Sequence, residues 1–237
     1  MSPKKLAEKY GLSASTLRNY EDKGLLPPAE RSPSGYRMYS DRHEAFLACI
    51  QAMAPAFGME LTVGALRSFR QGQLHEALWA IRGNEVRLYR EKESLDQLIQ
   101  MIHRYELDNK AATDKKRFTI KEASEWANVS KSAIRYWEQE GYITAERDAE
   151  SRFRRYSQSQ LLKISLIQTL QCSVYSEETV KLKQRIAEAE HTDLQSLAHI
   201  AESIRIYLDR MVELQMRAIV CFYSLIQWTN RKSEALD

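Results

Sequence analysis

The chain of 237 residues is poor in what most function classes require. Cysteine is scarce: Cys49, Cys172 and Cys221 lie far apart in apolar helical surroundings, which suits reduced core thiols better than disulfides or a clustered metal site. Histidine is thin and scattered (His43, His75, His103, His191, His199), and neither a glycine-rich phosphate loop nor a nucleophile motif occurs. No enzyme, metal or cofactor is therefore expected. No uninterrupted apolar run reaches the roughly 18 residues of a membrane span. The first residues, Met1 to Glu8, lack the apolar core of a signal peptide, so a cytoplasmic location is expected. A net charge of +3 is too small by itself to demand a polyanionic partner.

What the chain does contain is a repeat. Leu12-Ser-Ala-Ser-Thr-Leu-Arg-Asn-Tyr-Glu-Asp-Lys-Gly-Leu-Leu returns 117 residues later as Val129-Ser-Lys-Ser-Ala-Ile-Arg-Tyr-Trp-Glu-Gln-Glu-Gly-Tyr-Ile. Read without a gap to Ser40 and Ser157, the copies share nine identities in 29 positions. Cations gather around the second copy, with Lys115, Lys116, Arg117, Lys121, Lys131, Arg135, Arg147, Arg152, Arg154 and Arg155 in a short span.

Each copy predicts two short helices with a tight turn. Ser2 caps the first helix with Pro3 at its start, and Thr119 caps its counterpart over 120–127. Gly11 and Asn128 then suit a left-handed turn, Ser13 and Ser130 cap the second helix, and Gly24 and Gly141 end it. On that second helix Leu17, Tyr20, Ile134 and Trp137 take the core side. The opposite side carries Ser15, Arg18, Asn19 and Asp22, or Ser132, Arg135, Tyr136 and Gln139, groups able to hydrogen-bond to base edges and phosphates. An exposed, solvated helix face accounts for the same pattern.

The following segment reads as a basic hairpin. Leu25 to Tyr39 contains a strand start, a turn-rich tip and a return strand, with Arg31 and Arg37 flanking the tip. Thr16-Leu-Arg-Asn-Tyr-Glu-Asp-Lys-Gly-Leu-Leu-Pro-Pro-Ala29 with Arg31 and Gly35-Tyr-Arg-Met-Tyr39 resembles the DNA-binding domain of the MerR family of bacterial transcription regulators. The second copy keeps Ile134-Arg-Tyr-Trp-Glu-Gln-Glu-Gly-Tyr-Ile143 and Arg152-Phe-Arg-Arg-Tyr156, without the double proline or the hairpin glycine. The family usually has a phosphate-contacting tyrosine where the first copy has Asn19 and the second Tyr136. The resemblance implies a mainly α fold of two winged helix-turn-helix domains, each with a long coiled-coil helix, in a pseudo-two-fold, dimer-like assembly. The DNA-contacting set it implies is Ser13, Ser15, Thr16, Arg18, Asn19, Tyr20, Arg31, Gly35, Tyr36 and Arg37, with Ser130, Ser132, Arg135, Tyr136, Trp137, Arg147, Arg152, Arg154 and Arg155 in the second copy. Double-stranded DNA is the implied partner, with RNA polymerase at a promoter.

The expected organisation is a first module over 1–83, a long helix and linker over 84–114, a second module over 115–190 and a second long helix over 191–237. Two further helices follow each hairpin, starting at 41 and 158, with Pro55 breaking the first copy's path. Leu197, Ile200, Ile204, Tyr207, Met211, Leu214, Ala218, Cys221, Leu225 and Trp228 form a three-four apolar seam; Leu88, Leu95, Leu98, Ile102 and Tyr105 form a shorter one. One chain folded back into a pseudo-dimer and a four-headed homodimer both fit, since the last helix has a second apolar face. Metal-sensing and redox relatives need cysteine patterns that do not occur here. Tyr207, Phe222, Tyr223 and Trp228 are candidates for lining an apolar effector pocket; an effector-free architectural DNA binder is the alternative.

Overall fold

The computed structural model describes residues 1–107, 116–171, 174, 176–189 and 194–234. Cys172, His191, Lys115 and nearly all of the linker after Asp108 lie outside the described residues. Nine helices and five short strands occur among those described. In chain order they are α1 (Pro3–Lys9), α2 (Ala14–Asp22), β1 (Glu30–Arg31), β2 (Arg37–Met38), α3 (Asp41–Arg70), α4 (Leu74–Leu107), β3 (Phe118–Thr119), α5 (Ile120–Ala127), α6 (Lys131–Gln139), β4 (Glu146–Arg147), β5 (Arg154–Tyr156), α7 (Gln158–Thr169), α8 (Glu177–Glu188) and α9 (Leu194–Glu234). They form two compact units, Met1–Val86 with Met211–Asp237, and Arg87–Arg210.

Local chemistry sets the short helices. Ser13 accepts from the Thr16 amide at 3.0 Å and Ser130 from that of Ala133 at 3.1 Å, satisfying amides the helix starts would leave unpaired. Gly11 (φ 63°) and Asn128 (φ 51°) take the left-handed turns between helices.

In the first unit Leu6, Leu17, Leu25, Phe46, Ile50 and Met53 share one buried cluster with Ala218, Phe222 and Leu225 from the end of α9. Burying each large apolar side chain contributes about 1.5–3 kcal/mol, so the end of α9 is an integral part of this head's core. Cys49 and Cys221, 172 positions apart in sequence, are free thiols in or against that cluster. A hydrogen bond from Cys49 pulls the Cys221 thiol down to about 7. α3 is long and apolar enough by composition to pass for a membrane span, yet Phe46, Leu47, Ile50 and Met53 are core residues.

The break in α3 is not at Pro55. The helix continues past the proline and breaks at Gly58 (φ 81°, ψ 160°), whose carbonyl accepts from the Thr62 hydroxyl at 2.7 Å. Proline tends to break a helix by clashing with the preceding turn, whereas glycine alone reaches this φ without strain. α4 also starts at Leu74, well before the expected boundary at 84. Its first turns are buried through Ala77 and Ile81, and the Gln215 amide of α9 donates to Asn84 Oδ1 at 2.9 Å.

In the second unit Ile134, Trp137, Tyr156, Leu161, Leu166 and Ile167 are buried. Lys163 is also buried, 2 % exposed, and donates to the Ala187 and Ala189 carbonyls at 3.0 and 2.7 Å, closing the end of α8. Here α4 and α9 run in opposite directions: Lys92 lies near Asp209, while His103 lies near Glu202 and shares a small cleft with Gln195 and His199. The seam positions Leu88, Leu95, Leu98 and Ile102, with Leu197, Ile200, Ile204 and Tyr207, are buried.

Candidate nucleic-acid interface

α2 and α6 each put one side into the core and the other outward. Leu17, Ile134 and Trp137 are buried and Tyr20 is half-buried against the core. Tyr20 and Trp137, named among the contact residues, thus also pack their helices against the core. Ser13, Ser15, Arg18 and Asn19 are exposed, as are Ser130, Ser132, Arg135 and Tyr136, the last at 56 %; Thr16 is half-exposed. The Arg18 guanidinium donates back to the Ala14 carbonyl at 3.3 Å, which holds it along its own helix.

A hairpin stands beside each of these helices, fastened the same way in both units. Glu21 of α2 accepts from Arg37 Nε at 3.3 Å and from the Tyr39 hydroxyl. In the second unit Glu138 accepts from Arg154 Nε at 2.7 Å and from the Tyr156 hydroxyl at 3.3 Å. Burial and, after it, the carboxylate's charge push the Tyr156 hydroxyl up to about 12; Tyr39 is raised by burial and by its bond to Glu21. Arg37 and Arg154 are thus half-buried anchors of the return strand, each paired with a glutamate of the neighbouring helix. The matching glutamates and tyrosines were visible in both copies, but nothing in the sequence pairs a helix carboxylate with a strand guanidinium.

The hairpins themselves differ. β1 pairs with β2 so that Arg31 faces Arg37, and β4 pairs with β5 so that Arg147 faces Arg154. Arg31 therefore corresponds to Arg147, and Glu30 to Glu146, a spacing of 116 and not 117. The ungapped repeat slips by one residue on the outgoing strand, and the second tip is one residue longer. At each tip one residue sits in the left-handed region, Gly35 at φ 81° and Arg152 at φ 58°. Each gives its carbonyl to the outgoing arginine: Arg31 to Gly35 at 3.0 Å, Arg147 to Arg152 at 3.4 Å. Tyr36 and Phe153 next to them are 73 % and 70 % exposed.

Acids restrain the second tip. Asp148 accepts from the Ser151 amide and hydroxyl, at 3.0 and 2.8 Å, and from Arg155 at 3.3 Å. Those bonds, the Ser151 amide first, hold its carboxyl down at about 2. Arg117 forks onto Glu146 at 2.8 and 3.1 Å. Two of the second copy's cations are in this way engaged within the protein. Of the aromatics named for an effector pocket, Phe222 is core of the first unit, Tyr223 is 60 % exposed, Trp228 is half-buried, and Tyr207 is buried in the second unit. No group of three or more histidine, cysteine or acidic side chains placed to hold a metal ion occurs among the described residues.

Two exposed helices, each capped by serine and flanked by a hairpin with an arginine-bearing tip, are the arrangement that the sequence motifs describe. The family model for the MerR family regulatory protein matches residues 2–39, and that for the MerR HTH family regulatory protein matches residues 118–183. Both modules are MerR-family modules. The chain is similar to the HTH-type transcriptional regulator CueR of Salmonella typhi, 36 % identical over 73 residues, covering 30 % of this chain and 53 % of the relative. It is similar to the HTH-type transcriptional regulator AdhR of Bacillus subtilis, 39 % identical over 56 residues, covering 24 % of this chain and 40 % of AdhR. A shorter stretch of 37 residues is 51 % identical to the mercuric resistance operon regulatory protein of Bacillus cereus, covering 16 % of this chain and 28 % of that protein. The chain spans about half the length or less of these curated relatives, and no solved structure matches it.

Proposed function

We propose that this chain is a MerR-type transcription regulator that binds double-stranded promoter DNA through two non-identical winged helix-turn-helix heads and distorts it, acting with RNA polymerase. The observation that carries the reading is the paired construction of an outward polar helix, bearing Arg18 or Arg135, beside an arginine-tipped hairpin locked to it by a glutamate. Helices of this kind read base edges in the major groove, while hairpin cations neutralise phosphates. The relatives are named as transcriptional regulators, which supports the same class.

The two heads belong to one chain in this reading, as an internal pseudo-dimer with a coiled-coil-like pairing of α4 and α9. Two features support it. The end of α9 completes the core of the first head, and α4 opposes α9 in the second unit. A four-headed homodimer is the second reading, favoured by an apolar stripe on α9, Val212, Met216, Val220 and Tyr223, that is 48–62 % exposed. Selection of bound sequences from a random DNA pool tests the function, and light scattering tests the assembly. Two unlike half-sites and a mass near 27.6 kDa are expected. A symmetric palindrome with twice that mass would overturn the one-chain arrangement, and absence of any enriched sequence would overturn the regulator reading.

A further inference from the structure

The repeat has a plugged position in one copy and an open one in the other. In the first head Tyr10 ends α1 with its ring half-buried against the core; its hydroxyl donates to the Glu44 carbonyl at 3.2 Å, and its own carbonyl accepts from Gln51 Nε2 at 2.8 Å. Glu44, Ala48 and Gln51 share one face of α3, so Tyr10 is bound to that face at both ends of this stretch. In the second head the residue equivalent to Tyr10 is Ala127, and those equivalent to Ala48, Gln51 and Ala52 are Ser165, Gln168 and Thr169. A cleft of about 650 Å³ opens there, lined by Ala127, Ser165, Gln168, Trp126 and, from α4, Leu98 and Met101.

We propose that this cleft is a binding site for a small neutral or cationic aromatic molecule carrying a phenol or amine, its ring taking the place that the Tyr10 ring fills in the first head. The volume lies within the range of about 300–1,000 Å³ typical of small-molecule pockets. The walls suit such a ring. Trp126 is 41 % exposed and offers its indole for stacking, and Leu98, 5 % exposed, forms an apolar floor beside Met101. The Gln168 amide, whose counterpart Gln51 is occupied by the Tyr10 carbonyl, makes no hydrogen bond among the described residues; it and the Ser165 hydroxyl are left to meet the polar substituent. Two carboxylates, Glu91 and Glu93, against one guanidinium, Arg90, border the cleft and disfavour an anion. The site also touches Asn128, the left-handed residue that sets α5 against α6. An occupied cleft is therefore felt at the turn that aims the second head's outward helix.

Proflavine, a flat cationic aryl amine, is the probe, titrated into the full chain without DNA, so that the outcome is independent of the DNA-binding reading. Saturable quenching of tryptophan emission is expected, reduced in Trp126→Phe. Ala127→Tyr restores the plug and is expected to weaken binding by about tenfold or more while leaving thermal stability unchanged or raised. Ser165→Phe fills the same volume from α7 and serves if the first variant loses its helical circular dichroism. Absence of saturable quenching up to about 1 mM, or a folded plugged variant that binds as tightly as the unsubstituted chain, overturns the proposal.

Discussion

Replacing Arg152 with glycine separates two roles that the hairpin tip combines. Arg152 holds φ 58°, the position that the first copy gives to Gly35 at φ 81°. A side-chain-bearing residue in that region costs about 1–2 kcal/mol, because its Cβ crowds the following carbonyl. Glycine removes that cost but adds freedom to the unfolded chain worth about 0.4–1 kcal/mol in the opposite direction. The net expectation for Arg152→Gly is a stabilisation of about 0.5–1 kcal/mol, read as a higher urea midpoint at unchanged slope. The tip hydrogen bonds survive the change, since the Arg152 amide donates to the Asp148 carbonyl at 3.0 Å and its carbonyl accepts from Arg147, all through the backbone of residue 152.

The same substitution is expected to weaken DNA binding. A residue kept in a strained conformation where glycine would relax it points to work done by its side chain, here a cation at an exposed tip. Loss of one phosphate contact lowers the slope of log affinity against log salt by about 0.9. Stability and affinity should therefore move in opposite directions, which no simple loss of folding produces. Equal or lower stability in Arg152→Gly refutes the strain argument, and an unchanged salt slope refutes the phosphate contact. The reciprocal change Gly35→Arg should cost about 1–2 kcal/mol from the backbone alone, as no atom lies within 4 Å of the Cβ it would introduce.

Burial holds the His43 imidazole below its ordinary value, and Nδ1 accepts from the Ser40 amide at 3.0 Å only while unprotonated. The folded state thus binds fewer protons there than the unfolded state. Stability should be full above the usual histidine range and fall as pH drops below about 6.5, and His43→Gln, the residue found at 160, should flatten that fall in a pH series of urea melts. Arg18→Ala or Arg135→Ala should each cost about 1–3 kcal/mol of affinity for the selected DNA sequence and less for random DNA in a competition assay; equal losses on both would place these groups on phosphates alone. Glu21→Ala should destabilise the first head by about 1–3 kcal/mol in thermal or urea unfolding by leaving the Tyr39 hydroxyl and Arg37 unpaired, whereas no loss would mean that the hairpin is held by its apolar contacts.

The helices and their caps were legible because their signals are local. Ser13, Ser130, Gly24 and Gly141 each act on the backbone within a turn of themselves, so a gapless reading of the repeat placed them. The apolar seams were legible for the same reason, as a period carried by one helix at a time. What escaped the sequence depends on partners far along the chain. The Glu21 and Glu138 anchors join residues 16–18 positions apart, and Cys49 meets Cys221 only because α9 returns to the first head. The slip from 117 to 116 escaped because Arg31 and Arg147 are out of step in the linear comparison, and strand pairing alone sets them opposite Arg37 and Arg154.

That slip bears on how the two copies differ. One added residue at a hairpin tip leaves the return strand and its glutamate anchor in register, so Arg154 and Tyr156 keep the roles of Arg37 and Tyr39 while the tip between them changes freely. The second tip carries Asp148, which cages Ser151 and engages Arg155, and Arg152 in a conformation that glycine would occupy without strain. The cleft at Ala127 follows the same rule on the far side of the helical pair: the backbone is kept, with Asn128 left-handed as Gly11 is, and one side chain is emptied. Two identical subunits cannot vary in this way, because each change would appear in both heads at once. A chain that carries both copies can alter the tip or the cleft of one head while the other keeps its Tyr10 plug and its relaxed glycine.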